Sequence, residues 1–307
     1  MAEGHDRRAH ALVRLAGTER FRGIDELLTW LDTLTAALRA DNQLERLAFL
    51  GIRATNDVET ALEATLSGYA AVAFDAMRDV LEIDYQLRDF AIDPQRVETW
   101  LTADEKTLRK EFQPVHVRRR LQDAGAVNFG ENAMSLDYKG HSQMLHLRPD
   151  GTSTLDALPG RGRSQDTVFE RDMGLWEILD HGRSLRGAFQ ALTAAVSPAS
   201  AAEQEARRPL PAFTEALNYV HAAQQHFMAL SRAQEALNQE QPRHALIVLV
   251  DALIQARLLD KALLEHGRQA DLRSELTRIS AMTDGRARTL APIAIKLVDA
   301  LTQESTG

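Results

Sequence analysis

The sequence predicts an all-α protein, a multi-helix bundle with one long central helix and a C-terminal helical hairpin layer. Three observations predict it. Ala, Leu, Arg, Glu and Gln recur throughout the 307 residues while aromatic residues make up only 6%, a mixture that favours helix over sheet. Gly and Pro are few, at 17 and 9 residues, so long stretches run without a breaker. Within those stretches apolar residues return at steps of three and four, the spacing of one helical face.

After a short N-terminal helix, Ile24, Leu27, Leu28, Leu31, Leu34 and Leu38 mark the first apolar face. Asp25 and Glu26 suit the positive end of that helix. The longest helix is expected over residues 55–92. Its stripe is Val58, Leu62, Leu66, Tyr69, Ala73, Met77, Val80, Ile83, Leu87 and Phe90, with no Pro between them. Gly68 is its only glycine and reads as the close approach of another helix rather than as a break. Asp93-Pro94 closes this helix and opens the next, because Asp is a favoured N-cap and Pro fits the first helical turn. Trp100, Leu101, Leu108 and Phe112 supply the buried side of that next helix. Pro114 then interrupts, a short basic helix carries Val115 to Gln122, and Asp123 to Gly130 reads as a turn with a glycine stop.

Glu131 to Leu147 is expected to form a further helix. Residues 149–166 gather Pro, Gly, Ser, Thr and Asp into the longest turn-like stretch, which divides an N-terminal bundle, 1–148, from a C-terminal helical region, 167–307. Helix resumes from Thr167 to Val196, followed by a second linker from Ser197 to Pro211. A break at Gln239 to Pro242 separates Phe213–Leu237 from Arg243–His266, an antiparallel hairpin. Its broad apolar face carries Leu246, Ile247, Leu249, Val250, Leu253 and Ile254. Leu272 to Met282 and Thr289 to Leu301 close the chain. A tetratricopeptide reading of the hairpin fails because no second copy appears at a fixed period.

Composition also excludes function classes. Hydrophobic residues at 44% and charged residues at 26% belong to an ordinary globular chain. There is no cysteine, which removes disulfides, thiolate zinc sites and thiol nucleophiles. Met1 to His10 is charged where a secretory signal is apolar, and the most apolar run, Ala245 to Val250, stops at Asp251. A cytoplasmic protein with no membrane partner is therefore expected. A net charge of -8 argues against nucleic acid binding by bulk attraction, and Arg118-Arg119-Arg120 reads as a solvated helix face.

No motif with a specific chemical mechanism occurs. There is no HExxH, no Glu-x-x-His pair, no phosphate-binding glycine loop and no nucleophile elbow. His221 and His226 are five apart, as are His141 and His146, which turns their rings away from shared ligation on a helix. Neither a metal nor a cofactor is expected. Gly160-Arg161-Gly162-Arg163 reads as a solvated loop tip. The clearest polar cluster on an apolar scaffold is Asp75, Arg78, Asp79, Glu82, Asp84 and Arg88, in which Arg78 and Glu82 share one face at a step of four. Tyr138, Ser142 and His146 are also spaced at steps of four. A His facing an Arg/Glu pair suits acid or base chemistry, while a Tyr-Ser-His ladder equally suits a core network that fixes helix register.

Ala76-Met-Arg78-Asp-Val-Leu-Glu82, Asp93-Pro94 and Tyr138-Lys-Gly-His-Ser142-Gln-Met-Leu-His146 together resemble a family of uncharacterised, mostly bacterial helical proteins. The resemblance covers about residues 53–149. That family is similar in turn to the helical superfamily called higher eukaryotes and prokaryotes nucleotide-binding (HEPN), many of whose members are RNases of toxin and phage-defence systems. Their Arg and His signature is absent, since Arg109 and His116 have the spacing but Lys110 follows the Arg and Pro114 breaks the helix between. Two readings stand. The first is a noncatalytic structural or partner-binding module, such as a homodimer, whose polar groups form a network. The second is an RNase or nucleotide-processing enzyme of bacterial defence, with His146 as acid or base, Arg78 on phosphate and Glu82 orienting it, supported by Tyr138 and Ser142.

Overall fold

The apolar stripes do form helices. In the computed structural model, which describes residues 2–126, 168–256, 258–259, 269–282 and 285–304, every regular element among the described residues is helical. They are α1 (Ala2–Leu15), α2 (Glu19–Ala40), a 3₁₀ turn (Glu45–Leu47), α3 (Ala48–Ser67), α4 (Ala70–Ile92), α5 (Gln95–Thr102), α6 (Glu105–Glu111), α7 (Pro114–Asp123), α8 (Val168–Val196), α9 (Ala201–Ala206), α10 (Pro211–Asn238), α11 (Pro242–Gln255), α12 (Gln269–Ser280) and α13 (Gly285–Glu304). Among the described residues no helix is long and apolar enough to cross a membrane. The chain divides into two compact units, Met1–Leu217 and Asn218–Gly307. The division falls inside α10, so α8 belongs to the first unit; the boundary expected at 149–166 lies outside the described residues.

In the first unit α3 packs against both α2 and α4, while α8 packs most extensively against α4 and also against α3 and α2. Ile24, Leu27, Leu31, Leu34 and Leu38 of α2 are fully buried, as the periodicity requires, and each such side chain contributes roughly 1.5–3 kcal/mol. Trp30 joins them, its Nε1 donating to the Glu205 carbonyl at 3.0 Å and its ring meeting Phe189 edge-on at 6.2 Å. Close helix approach is set by small residues. A Cβ on Gly23 would lie 2.4 Å from Ala216 Cβ, and one on Gly174 would lie 2.5 Å from Thr65 Oγ1. Glu26 Oε2 accepts from the Phe213 N–H at 2.8 Å, placing a carboxylate at the first turn of α10, where helix N–H groups lack partners.

The long helix expected over 55–92 is two helices. Gly68 takes φ 79° and ψ 25°, the left-handed conformation that ends α3. The Gly68 N–H donates to Thr65 O at 3.2 Å and the Tyr69 N–H to Ala64 O at 2.8 Å, closing the last carbonyls. The apolar stripe therefore runs through a turn, where Tyr69 is about half exposed (48%) rather than buried. Asp93 ends α4, its N–H donating to Asp89 O at 3.1 Å, and its Oδ1 accepts from the Gln95 N–H at 3.1 Å across the junction; the residue at the N-cap of α5 is Pro94 rather than the expected Asp93.

In the second unit Ala245, Leu249, Val250 and Leu253 of α11 are buried together with Leu276 and Ile279 of α12 and Leu290, Ala294 and Val298 of α13. Ile247, assigned to this face by its spacing, is instead 60% exposed. The break before α11 is a turn in which Glu240 takes φ 58° and the Gln241 N–H donates to Ala236 O at 2.8 Å.

Candidate functional site

Tyr138, Ser142 and His146 lie outside the described residues, as do residues 160–163. Arg78 and Glu82 are placed on α4. Their pairing is loose, with 3.9 Å between Arg78 Nε and Glu82 Oε1, because the guanidinium turns one step towards the helix start. Arg78 Nη2 reaches Asp75 Oδ1 at 3.1 Å and lies 3.9 Å from Asp79 Oδ1. From the neighbouring α3, Arg53 Nη2 donates to Asp79 Oδ2 at 2.7 Å, and Arg53 Nε lies 3.8 Å from Asp57 Oδ2. Asp57, Asp75, Asp79 and Glu82 thus share two guanidiniums. Burial first, and then the charges of Asp79 and Asp75, push the Asp57 carboxyl up to about 6 against the opposing pull of Arg53.

Beside this lattice opens a cleft of about 150 Å³. Arg53, Asp79 and Glu82 form its polar rim, and Leu50, Ile83, Trp100, Phe112, Pro114 and Val117 its apolar wall. Gln86, only 7% exposed, also lines it, and the Gln86 amide nitrogen has no hydrogen-bond partner among the described residues. Trp100 is fixed by stacking on Phe49 at 5.8 Å and by the Phe90 ring at 5.3 Å.

A buried ion cluster holds the Phe112 side of the cleft in place. Asp89, 2% exposed, accepts from Arg96 Nε at 2.9 Å, from Arg120 Nε at 2.9 Å and from Arg120 Nη2 at 2.7 Å. Arg120 Nη1 also donates to the Glu111 carbonyl at 2.6 Å. Both guanidiniums lie over the Phe112 ring, at 4.6 Å and 5.7 Å from its centre. Arg120 is therefore part of a helix-to-helix clamp, which corrects the solvated reading of the Arg118-Arg119-Arg120 triplet; of the three, Arg119 alone is exposed.

A second buried cluster lies between α4 and α8. Asp84, 1% exposed, accepts from Arg88 Nε at 3.0 Å, and Arg88 Nη2 donates to the Ser184 carbonyl at 2.9 Å. His181, 4% exposed, places Nε2 3.0 Å from Glu177 Oε2. Burial pushes the Asp84 carboxyl up, opposed by Arg88, Ser184 and His181. The sequence reading passed over His181. The visible signal was Glu177, His181 and Ser184 at steps of four and three on one helix, which puts all three on one face.

Among the described residues no group of three or more His, Asp or Glu side chains is arranged to hold a metal ion. No protein-family model, curated protein or solved structure matches this chain.

Proposed function

We propose that this protein is a noncatalytic helical interaction module that binds a protein partner, either a second copy or another chain. One observation carries the reading: the guanidinium of Arg78 lies among Asp75, Asp79 and Glu82. A phosphate drawn to Arg78 would meet the carboxylates of Asp75, Asp79 and Glu82 already around that guanidinium, which disfavour an anion there. The buried carboxylates of the same unit support the same reading, since Asp89 is held by Arg96 and Arg120 and Asp84 by Arg88, which reaches on to the Ser184 carbonyl of α8. Such groups fix helix register rather than reach a substrate.

The test is set against the nuclease alternative, in which His146, Arg78 and Glu82 act on RNA or nucleotides. Purified protein is incubated with single-stranded RNA and with nucleoside triphosphates, beside Arg78→Ala, Glu82→Ala and His146→Ala. The expected result is intact RNA and nucleotide throughout, with the substitutions changing melting temperature alone. Turnover by the wild-type protein that is lost in a folded His146→Ala or Arg78→Ala variant overturns the proposal in favour of an RNase or nucleotide-processing enzyme.

A further inference from the structure

A second groove, about 570 Å³ in volume, runs along the outer face of α3, where Glu59, Glu63 and Ser67 line it, to Tyr69 and Val72 at the turn into α4. Glu63 also carries the contact that fastens α1. Arg8 Nε donates to Glu63 Oε2 at 2.5 Å and Arg8 Nη2 to Glu63 Oε1 at 2.8 Å. A two-point fork of this kind adds geometric specificity to the attraction of the charges. Hydrogen bonding to Arg8 holds the Glu63 carboxyl below the usual carboxylate range. Glu59, one turn away, has no ion partner among the described residues.

Apolar burial holds α1 weakly. Among the described residues of α1, Ala11 and Leu15 are buried while Val13 is 81% exposed. By contrast α2 buries Ile24, Leu27, Trp30, Leu31, Leu34 and Leu38. A helix of 14 residues is marginal in water without a partner, so undocking and unfolding of α1 form one local event of low free energy. The connection permits that event. Gly17 takes φ 83° with nothing within 4 Å of its Cβ position, a joint in open space. The following helix starts on its own cap, the Thr18 hydroxyl oxygen accepting from the Phe21 N–H at 3.4 Å. Departure of α1 therefore leaves the start of α2 closed.

We propose that α1 is a detachable arm latched by the Arg8–Glu63 fork, and that its release switches the charge of the groove. With the arm docked, the Arg8 guanidinium neutralises Glu63 at the groove wall. With the arm released, Glu63 joins Glu59 as a second open carboxylate beside Tyr69 and Val72. Like charges four apart on a helix repel, which favours the docked arm. Both partners of the latch are exposed, 38% for Arg8 and 52% for Glu63, so ionic strength sets how often the arm lets go.

Hydrogen exchange of the full-length protein, read peptide by peptide by mass spectrometry, tests the arm. Amides of α1 are expected to exchange on the order of tenfold faster than those of α2. Raising NaCl from about 0.05 to about 0.5 M is expected to speed α1 further. Glu63→Gln is expected to speed exchange in α1 about two- to fivefold, to remove the salt effect, and to leave α2 and α4 unchanged. The exchanged pair, Arg8→Glu with Glu63→Arg, is expected to restore the parent rates. Exchange of α1 in step with α2 overturns the detachable arm, as does a Glu63→Gln variant with parent rates in α1 and protected α2 and α4. The charge switch is read from the Glu63 carboxyl resonance by NMR. It is expected to titrate below the usual range in the parent and to rise towards that range in Arg8→Gln; an unchanged titration overturns the latch.

Discussion

Replacing Asp57 by Asn tests the cost of a carboxylate that burial and the neighbouring Asp79 and Asp75 penalise. The Asp57 carboxyl is pushed from 3.8 to about 6 in the folded chain. At 1.36 kcal/mol per unit, a shift of roughly two units corresponds to ~3 kcal/mol between its two protonation states. The side chain keeps 18% of its surface exposed, so solvent and salt screening reduce this to ~1–2 kcal/mol. The sign follows from the raised value. The folded state prefers the neutral carboxyl, so the stabilisation is fully present below pH 3.8 and is lost as pH rises through about 6. Asn is neutral at every pH and does not lose it. The opposing pull of Arg53 at 3.8 Å is already contained in the raised value and is not subtracted again. Asp57→Asn is therefore expected to lie close to wild type near pH 4 and to exceed it by ~1–2 kcal/mol at pH 7.5. Urea unfolding at both pH values and fixed ionic strength measures the difference, read by tryptophan fluorescence because Trp30, Trp100 and Trp176 all lie in the first unit. A variant whose advantage does not grow with pH, or that is less stable at pH 7.5, refutes the charge accounting.

Two further substitutions probe the scaffold. Asp89→Ala leaves the guanidiniums of Arg96 and Arg120 without their shared carboxylate, at an expected cost of ~3–5 kcal/mol and a fall in melting temperature on the order of 10 °C. A fall under about 3 °C by scanning calorimetry would show that the clamp is not holding these helices together. Gly23→Ala brings a methyl within 2.4 Å of Ala216 Cβ, and forcing α2 from α10 is expected to cost ~1–3 kcal/mol. Ala216→Gly in the same chain should restore part of that loss in thermal denaturation; no restoration would mean that the strain resides elsewhere, for example at the Ala212 carbonyl 3.1 Å away.

Much of the fold was legible because a helix writes its buried face into local spacing. Leu27, Leu31, Leu34 and Leu38 are a few residues apart in sequence and on one face, so no tertiary knowledge was needed to place them. Gly68 was misread for a physical reason. A glycine inside a helix and a glycine ending one have the same neighbours in sequence, and the apolar stripe keeps its phase across both. Only the φ of 79° separates them. The candidate site divides in the same way. Arg78 and Glu82 were visible as an i, i+4 pair, while Arg53 and Asp57 come from α3 and Trp100 and Phe112 from beyond α4, brought together by packing that no local pattern encodes. Arg120 shows the converse, since three consecutive arginines read as a solvated face until a buried carboxylate 31 residues away claims one of them.

The pairing of α4 with α8 has a bearing on how the chain is made. Arg88 and Ser184, which meet across that interface, are 96 residues apart. At a synthesis rate of roughly 5–20 residues per second, α4 leaves the ribosome several seconds before the helix that covers it. During that wait its uncovered side, with Val80 and Leu87 one turn either way from Asp84, is open to association with other nascent chains. Asp84 and Arg88 interrupt that side with charge. In the finished protein they are a buried pair, and in the growing chain they serve as a hydrated guard on a surface whose partner has not yet been translated.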